Sequence, residues 1–270
     1  MTNHKSEIAD RFKSGLPLDH IPVIDFHTHM GRSSEYYYIP FNSTREVTLY
    51  LDRFGVDHIV TFSINVTTDV APKNNAVYQM HQEIPNRLSP LTAIHAGFPQ
   101  DWDSILADGH KGGSRGIKIL HQYQGVEEIE VDFAPAFEYA RDKNWVALAH
   151  DWGTPERLEH WAKNFPGVYF IIGHAATKYK RLVETYDNVY QCTCASFVEG
   201  YFSPIIAMVD CMPVEKILHG SDALDLDIAT SIGPIAFADI SETAKEKILG
   251  LNAIELAKRL NRPIPLSHDY

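Results

Sequence analysis

Eight short apolar runs, each followed by a longer and more charged stretch, dominate the pattern of this sequence. The stretches that follow have the spacing of amphipathic helices, so the chain reads as eight strand-then-helix units. Such alternation implies parallel strands joined by right-handed crossovers. Eight units in about 250 residues predict an α/β fold, a single-domain (β/α)8 TIM barrel, over an open doubly wound sheet. The runs are 21–26, 56–64, 87–96, 114–120, 145–150, 167–174, 188–194 and 214–221.

Local signals support several of these boundaries. Thr154 followed by Pro155 predicts a helix start, with the threonine as N-cap and the proline at the first helical position. Ser241 predicts the start of a later helix, which we expect Gly250 to end before Asn252 caps the last one. No Gly/Ser-rich linker divides the chain. We therefore expect an N-terminal extension over 1–20, one barrel domain over 21–262 and a C-terminal tail over 263–270.

Charge and composition exclude several classes of function. The formal net charge of −11 argues against a nucleic-acid or anionic-membrane partner, since both need a basic surface. No apolar run is long enough to span a membrane, and the polar N-terminus does not resemble a secretory signal. The spacing Cys192-x-Cys194 suggests a soft metal site, but no second cysteine pair completes it, so we favour the interpretation of these residues and Cys211 as buried reduced thiols. A cytoplasmic protein acting on a small molecule is expected.

Polar residues gather where the predicted strands end, which is where a barrel carries its active site. Side chains two apart on a strand share a face, roughly 6.6 Å apart at Cα, so His27 and His29 can converge on one metal ion. Val23 and Asp25 alternate in step with His27 and His29, so all four should face the same side of the strand. On that basis we expect both imidazoles to point into the barrel mouth. The other strand ends contribute Lys118, His121, His150, His174 and Asp222. Three histidines with one carboxylate suit Zn, Mn, Fe or Ni.

Further candidates allow more than one interpretation. Lys118 is a structural cation, a substrate contact or a carboxylated bridging ligand. Arg32 binds a substrate carboxylate or makes a surface salt bridge. Tyr36 and its two neighbouring tyrosines form a lid or pack within a loop. His95 makes a loop hydrogen bond or contacts substrate, whereas we expect His219 to pack in the core.

The same segments together resemble the amidohydrolase-2 branch of the amidohydrolase superfamily, which includes aminocarboxymuconate semialdehyde decarboxylase. The resemblance runs from about residue 21 to 260, and it is carried by IDFHTHMG, RGIKIL, ALAHDWG, IIGHAA, LHGSDAL and ILGLNAIELAKRL. It implies one divalent metal, zinc foremost, held by His27, His29, His150 and Asp222. It also implies that His174 is catalytic or contacts the metal, and that the protein forms a homodimer. The chain departs from the pattern at His121, which follows Lys118 by three residues instead of two.

Three functions are compatible with these residues. The first is hydrolysis of a small ester, lactone or amide, in which a metal activates water, Asp222 moves the proton and His174 polarises the carbonyl. Arg32, Lys118, His121 and Tyr36 would then contact the substrate, which we expect to carry a carboxylate. The second is non-oxidative decarboxylation of a hydroxy-aromatic or enol acid. The short chain favours hydrolysis, because decarboxylase relatives usually have an added arm. The third is a barrel that binds a ligand without turnover.

Overall fold

The apolar runs form parallel strands arranged side by side around a barrel. The computed structural model describes residues 6–31, 43–127, 130–196, 205–266 and 270. Each strand pairs in parallel with the next along the chain, except that β3 and β4 follow each other in one barrel position, separated only by Leu91. The strands are β1 (Ile24–His29), β2 (His58–Phe62), β3 (Leu88–Pro90), β4 (Thr92–Ala93), β5 (Gly116–Ile119), β6 (Val146–Ala149), β7 (Tyr169–Ile172), β8 (Val189–Cys192) and β9 (Ile217–Leu218).

Backbone contacts between the last strand and the first close the barrel. The Phe26 N–H donates to the His219 carbonyl at 2.9 Å, just beyond β9. A parallel bridge joins Thr28 to Ala223. An open doubly wound sheet would leave these two edges apart, so the prediction of a single (β/α)8 barrel is confirmed.

Helices follow the strands and cover the outside of the barrel. Two predicted starts are confirmed: the Thr154 hydroxyl accepts from the Arg157 N–H at 3.3 Å, and Ser241 accepts from Ala244 N–H at 3.1 Å. None of the described helices is long and apolar enough to cross a bilayer. The helices are α1 (Glu7–Lys13), α2 (Thr44–Phe54), α3 (Val70–Glu83), α4 (Trp102–Lys111), α5 (Ala134–Asp142), α6 (Pro155–Asn164), α7 (Lys180–Thr185), α8 (Ile205–Val209), α9 (Ala229–Ala236), α10 (Glu242–Glu246) and α11 (Asn252–Arg259).

The predicted break between the last two helices was wrong. A π-helical segment, Lys247–Leu251, joins α10 to α11 without interruption. Gly250 does not end the helix. It allows the helix to pack closely against the backbone of Pro22, because a Cβ at position 250 would lie 2.1 Å from the Pro22 carbonyl oxygen. Asn252 is likewise no cap: its amide donates to the Ile217 carbonyl at 2.8 Å and so fastens α11 to β9.

Two apolar layers hold the barrel together, one between strands and helices and one inside. Side chains such as Val23, Ile59 and Phe170 face the helices. Ile24, Phe26, Val60, Leu148 and Leu218 fill the interior with residues of α11 below them. The bottom is therefore a packed core, and polar chemistry is confined to the opposite end, where the strands finish.

Candidate active site

A change of register in β1 directs both histidines of the HxH pair into the barrel. Val23 faces the helices, whereas Phe26 lies in the interior core. The pairing of β1 with β2 then shifts by one residue, so His27 also faces inward. His27 and His29 pack against the interior ring of Phe62, with ring centroids 5.1 and 4.7 Å away. The parity argument from Val23 was therefore wrong, although the imidazoles do point into the barrel mouth.

Asp222 stands at the centre of the site. Its Oδ1 lies 3.0 Å from His29 Nε2 and 3.2 Å from His27 Nε2, and its Oδ2 lies 3.5 Å from His174 Nε2. The residue adopts a left-handed backbone conformation (φ 59°), which is uncommon outside glycine and typical of functional sites. Its N–H donates to the His27 carbonyl at 2.9 Å, so the end of the last strand is tied directly to the first.

A backbone contact sets the protonation pattern of the His27 ring. Nδ1 lies 2.7 Å from the Gly173 carbonyl, to which its N–H donates. The neutral ring therefore directs the Nε2 lone pair toward Asp222, as metal-binding histidines usually do. Gly173 is required here, because a Cβ would come within 2.9 Å of His27 Cε1 and 2.5 Å of the Ala149 carbonyl oxygen. This arrangement fits a metal ligand.

The compact donor set differs from the four ligands that the resemblance implies. One ligand atom each from His27, His174, Cys194 and Asp222 lie within 4.8 Å of one another, and all four residues are buried. His150 lies beside this set, with its ring centroid 4.1 Å from that of His174 and its Nε2 3.0 Å from the Tyr123 hydroxyl.

Sequence reasoning missed Cys194 as a member of the site. It interpreted the thiol as core packing, because the chain offers no second cysteine pair. The available signal was its position two residues beyond the end of β8, the same place in the unit that carries other site residues.

Burial gives the site neutral nitrogen donors around an ionised carboxylate. It lowers the pKa of His174 to about 4 and that of His150 to about 2, the latter with help from neighbouring His174. It also lowers the pKa of Lys118 to about 7. Burial opposes ionisation of Asp222, but positive charge on the coupled His27 ring and the hydrogen bond from His29 lower the pKa of this carboxyl well below its usual range, and a bound cation would take the place of that charge. Neutral imidazole and carboxylate are the forms that bind a divalent metal.

Asp25 is a second residue that sequence reasoning did not place in the site. Its fully buried Oδ1 accepts from the N–H groups of His27 and Ser221, each at 3.2 Å. It thus links the strand that carries the HxH pair to the segment that carries Asp222. Burial raises the pKa of Asp25 to about 7. Its role could not be inferred locally, because the second partner lies at the other end of the chain.

The remaining candidates are divided between the site and its surroundings. Lys118 is fully buried, with Nζ 3.2 Å from His27 Nε2 and 4.0 Å from the Phe62 ring centroid, so it belongs to the site. His121 sits outside β5 with both ring nitrogens near backbone carbonyls, 3.1 Å from Val126 and 3.2 Å from Asp151.

The other candidates from the sequence are His95, His219, Arg32 and the tyrosines from Tyr36 onward. His95 Nδ1 accepts from the Gly97 N–H at 3.1 Å, which is a loop hydrogen bond. His219 is buried, with Nε2 3.4 Å from the Ser231 hydroxyl, as a packing residue would be. Arg32 and the tyrosines from Tyr36 onward lie outside the described residues.

The barrel mouth thus holds an HxH pair, further histidines and an aspartate in the left-handed backbone conformation. Residues 24–258 match the model of the amidohydrolase-2 family, described as amidohydrolase. The chain belongs to this family. It is therefore an enzyme, and its site contains residues able to hold the divalent metal that family members bind. No curated protein matches the sequence.

Solved structures of this family share the fold at low sequence identity. A 5-carboxyvanillate decarboxylase from Novosphingobium aromaticivorans, complexed with manganese, is 12% identical (TM-score 0.70, covering 89% of this chain and 97% of that one). A 2,6-dihydroxybenzoate decarboxylase from Rhizobium is 13% identical (TM-score 0.67, 88% and 99%). A probable 2-pyrone-4,6-dicarboxylic acid hydrolase from Acinetobacter baumannii is 15% identical (TM-score 0.66, 87% and 99%). The similarity thus includes both lyases and a hydrolase.

Proposed function

We propose that this enzyme is a metal-dependent hydrolase of a small ester, lactone or amide. The observation that carries the proposal is the position of the Asp222 carboxylate, whose oxygens lie within 3.5 Å of ring nitrogens of three histidines at the barrel mouth. A carboxylate that is ionised at neutral pH can accept a proton, which hydrolysis needs in order to activate water. Protonation of a carbon atom in a decarboxylase would instead need a group that is acidic at the start.

A divalent ion fits this site. The proposed ligands are His27, His29, His150 and Asp222, with zinc as the expected ion. The carbonyl contact of His27 Nδ1 and the shared Asp222 oxygen between two imidazoles support the first, second and fourth of these. When bound, the ion supplies Lewis acidity and lowers the pKa of water toward about 7.

The protein's own groups perform the remaining steps. Asp222 accepts the proton of the attacking water and later delivers it to the leaving oxygen or nitrogen. Burial lowers the pKa of His174 to about 4, so a neutral ring would donate an N–H to the substrate carbonyl oxygen as negative charge develops there. Lys118 lies beside His27 as a substrate contact, a structural amine or a carboxylated ligand.

The substrate proposal rests on the polar residues of the first and fourth loops. We propose a substrate carboxylate bound by Arg32, with Tyr36 and His121 as further contacts. A homodimer in the cytoplasm is proposed from the family resemblance and the composition, and size-exclusion chromatography with light scattering would test the dimer.

Replacing Asp222 by asparagine tests the hydrolase assignment. Turnover in a panel of small esters, lactones and amides should fall by about 10²–10⁴-fold, because a positioned general base contributes that much. The histidines should retain most of the metal, measured by elemental analysis. The matched control is Asp225→Asn: this carboxylate is 4.0 Å from His29 and outside the three-imidazole contact. Undiminished hydrolysis by Asp222→Asn would refute the role of Asp222.

Non-oxidative decarboxylation is the second candidate. The observation that favours it is Lys118, a buried amine with a pKa of about 7 beside His27, which can supply a proton near neutral pH. Two of the similar solved structures are also decarboxylases. Release of CO₂ from hydroxybenzoates, lost in Lys118→Met, with no hydrolysis of the ester, lactone and amide panel, would favour this function over the first.

A further inference from the structure

We propose that the thiolate of Cys194 is a ligand of the metal ion held by His27 and Asp222. The proposal rests on the metal-dependent function above and adds a sulfur donor to its ligand set. The observation behind it is the buried four-atom cluster, in which Cys194 Sγ, a carboxylate oxygen of Asp222 and nitrogens of His27 and His174 lie within 4.8 Å of one another. Thiolate sulfur, imidazole nitrogen and carboxylate oxygen are the donor types of zinc sites, so the Cys194 sulfur is close enough to share an ion with His27 and Asp222.

The backbone holds Cys194 firmly in this position. The preceding residue, Thr193, donates its N–H to the Leu218 carbonyl at 2.9 Å, which extends the pairing of β8 with β9. The Cys194 carbonyl accepts from the Ala175 N–H at 2.9 Å, which fastens the other side to the segment after β7. The thiol therefore sits between the strand ends that carry His174 and Asp222.

The surroundings of Cys194 differ from those of an ordinary core cysteine. A buried thiol usually packs among apolar groups as a small hydrophobic side chain. Cys194 also borders the interior apolar cluster, but its Sγ lies within 4.8 Å of ligand atoms of a carboxylate and two imidazoles. Cys192 is equally buried two residues earlier in the same barrel wall, but it does not belong to the four-atom cluster. The two residues thus provide a matched pair in one short segment.

A sulfur ligand has a chemical consequence for metal choice. Binding breaks the S–H bond and forms a sulfur–metal bond, and the proton passes to the buffer without any oxidant or reductant. Thiolates favour zinc and cobalt over harder ions such as manganese and magnesium. We therefore expect this enzyme to select Zn²⁺ or Co²⁺ over Mn²⁺, the ion in the similar 5-carboxyvanillate decarboxylase structure.

Cobalt binding followed by absorption spectroscopy tests the proposal without any substrate. The metal-free full-length protein is titrated with Co²⁺. We expect visible d–d bands, which report cobalt in the site, and a near-ultraviolet sulfur-to-cobalt charge-transfer band, which reports a thiolate ligand. Cys194→Ser should keep the d–d bands and lose the charge-transfer band, while Cys192→Ser keeps both.

Zinc affinity gives an independent measure. In competition with a chromophoric chelator, Cys194→Ser should weaken Zn²⁺ binding by about 10–100-fold or more. Losses of that size follow even from substitution of residues that hydrogen-bond to a metal ligand without touching the metal. Cys192→Ser should leave the affinity unchanged, and Mn²⁺ affinity should fall less than Zn²⁺ affinity in Cys194→Ser.

A further variant keeps the test decisive if Cys194→Ser does not fold. The chain has three cysteines, so the Cys192→Ser/Cys211→Ser double variant retains Cys194 as its only thiol. A charge-transfer band in this variant supports the proposal. Visible d–d bands without that band, in the wild type or the double variant, overturn the Cys194 assignment while leaving a metal site. The absence of any cobalt, zinc or manganese binding would overturn the metal-dependent function itself, and the Cys194 proposal with it.

Discussion

His58 should make the stability of the barrel depend on pH through a group remote from the site. The side chain is fully buried on β2, where Nδ1–H donates to the Asn86 carbonyl at 3.0 Å. Nε2 lies 2.8 Å from the Ser89 hydroxyl, which itself accepts from Arg115 Nε at 2.7 Å, so the serine proton is directed at the imidazole. Burial is the main cause that lowers the pKa of His58 to about 3. Protonation of His58 would place a buried positive charge next to the hydroxyl of Ser89, which already directs its own proton at the ring.

The sign and size of the effect follow from the two pKa values. In the unfolded chain His58 titrates near 6.5, and in the folded protein near 3. Its contribution to stability is therefore complete above pH 6.5 and is lost as the pH falls below that value. One pH unit below 6.5, this contribution to the free energy of unfolding has fallen by about 1.4 kcal/mol, and the loss levels off at about 5 kcal/mol below pH 3.

Urea unfolding of metal-free protein at about pH 7.5 and pH 5.5 measures this contribution. Metal-free protein is used because acid would otherwise release the metal by protonating the site histidines, and that release would add its own pH dependence to the stability. His58→Gln keeps an amide at the position but cannot titrate, so its loss of stability between the two pH values should be smaller than that of the wild type by about 1.4 kcal/mol. His160→Gln, at an exposed helical position, should retain the wild-type difference. Equal pH dependence in His58→Gln and the wild type would refute the reasoning.

Two further substitutions have defined outcomes. Asn74→Leu removes an amide that both donates to the Ala93 carbonyl at 2.8 Å and accepts from its N–H at 3.1 Å. Because two buried backbone groups are then left unsatisfied, urea unfolding should show a loss of about 2–6 kcal/mol, and a loss below 1 kcal/mol would contradict this. Gly173→Ala places a Cβ 2.9 Å from His27 Cε1, so Zn²⁺ affinity should fall by at least about 10-fold; an unchanged affinity would show that the ring can shift freely.

The barrel could be predicted from the sequence because its determinants are local and repeated. Each apolar run is short enough for a strand and is followed by a stretch of helical period, and caps such as Thr154 and Ser241 depend only on neighbouring residues. Gly250 has the same local appearance as a helix terminator. It differs because Pro22, more than 200 residues away, presses on it in the folded chain. Sequence alone contains no record of that contact.

The site was predictable to the extent that barrel geometry collects strand ends at one place. For that reason the barrel brings together four predicted residues, His27, His29, His174 and Asp222. Their proximity could be predicted from the order of the strands. The inward turn of His27 depends on a register shift that only the pairing of β1 with β2 defines. Cys194 resembles any buried thiol until its neighbours on other strands are known.

Closure of the barrel and assembly of the site are the same structural event. The hydrogen bonds that join the last strand to the first include the contact of Asp222 N–H with the His27 carbonyl, and Asp25 joins the N–H groups of His27 and Ser221 from below. Asp222 and the HxH pair therefore cannot reach their relative positions until the first and last strands meet. A substitution that weakens this junction, such as Asp25→Leu, should therefore disturb metal binding and barrel closure together, whereas the proposed role of Cys194 predicts that its thiol can be removed with the junction left intact.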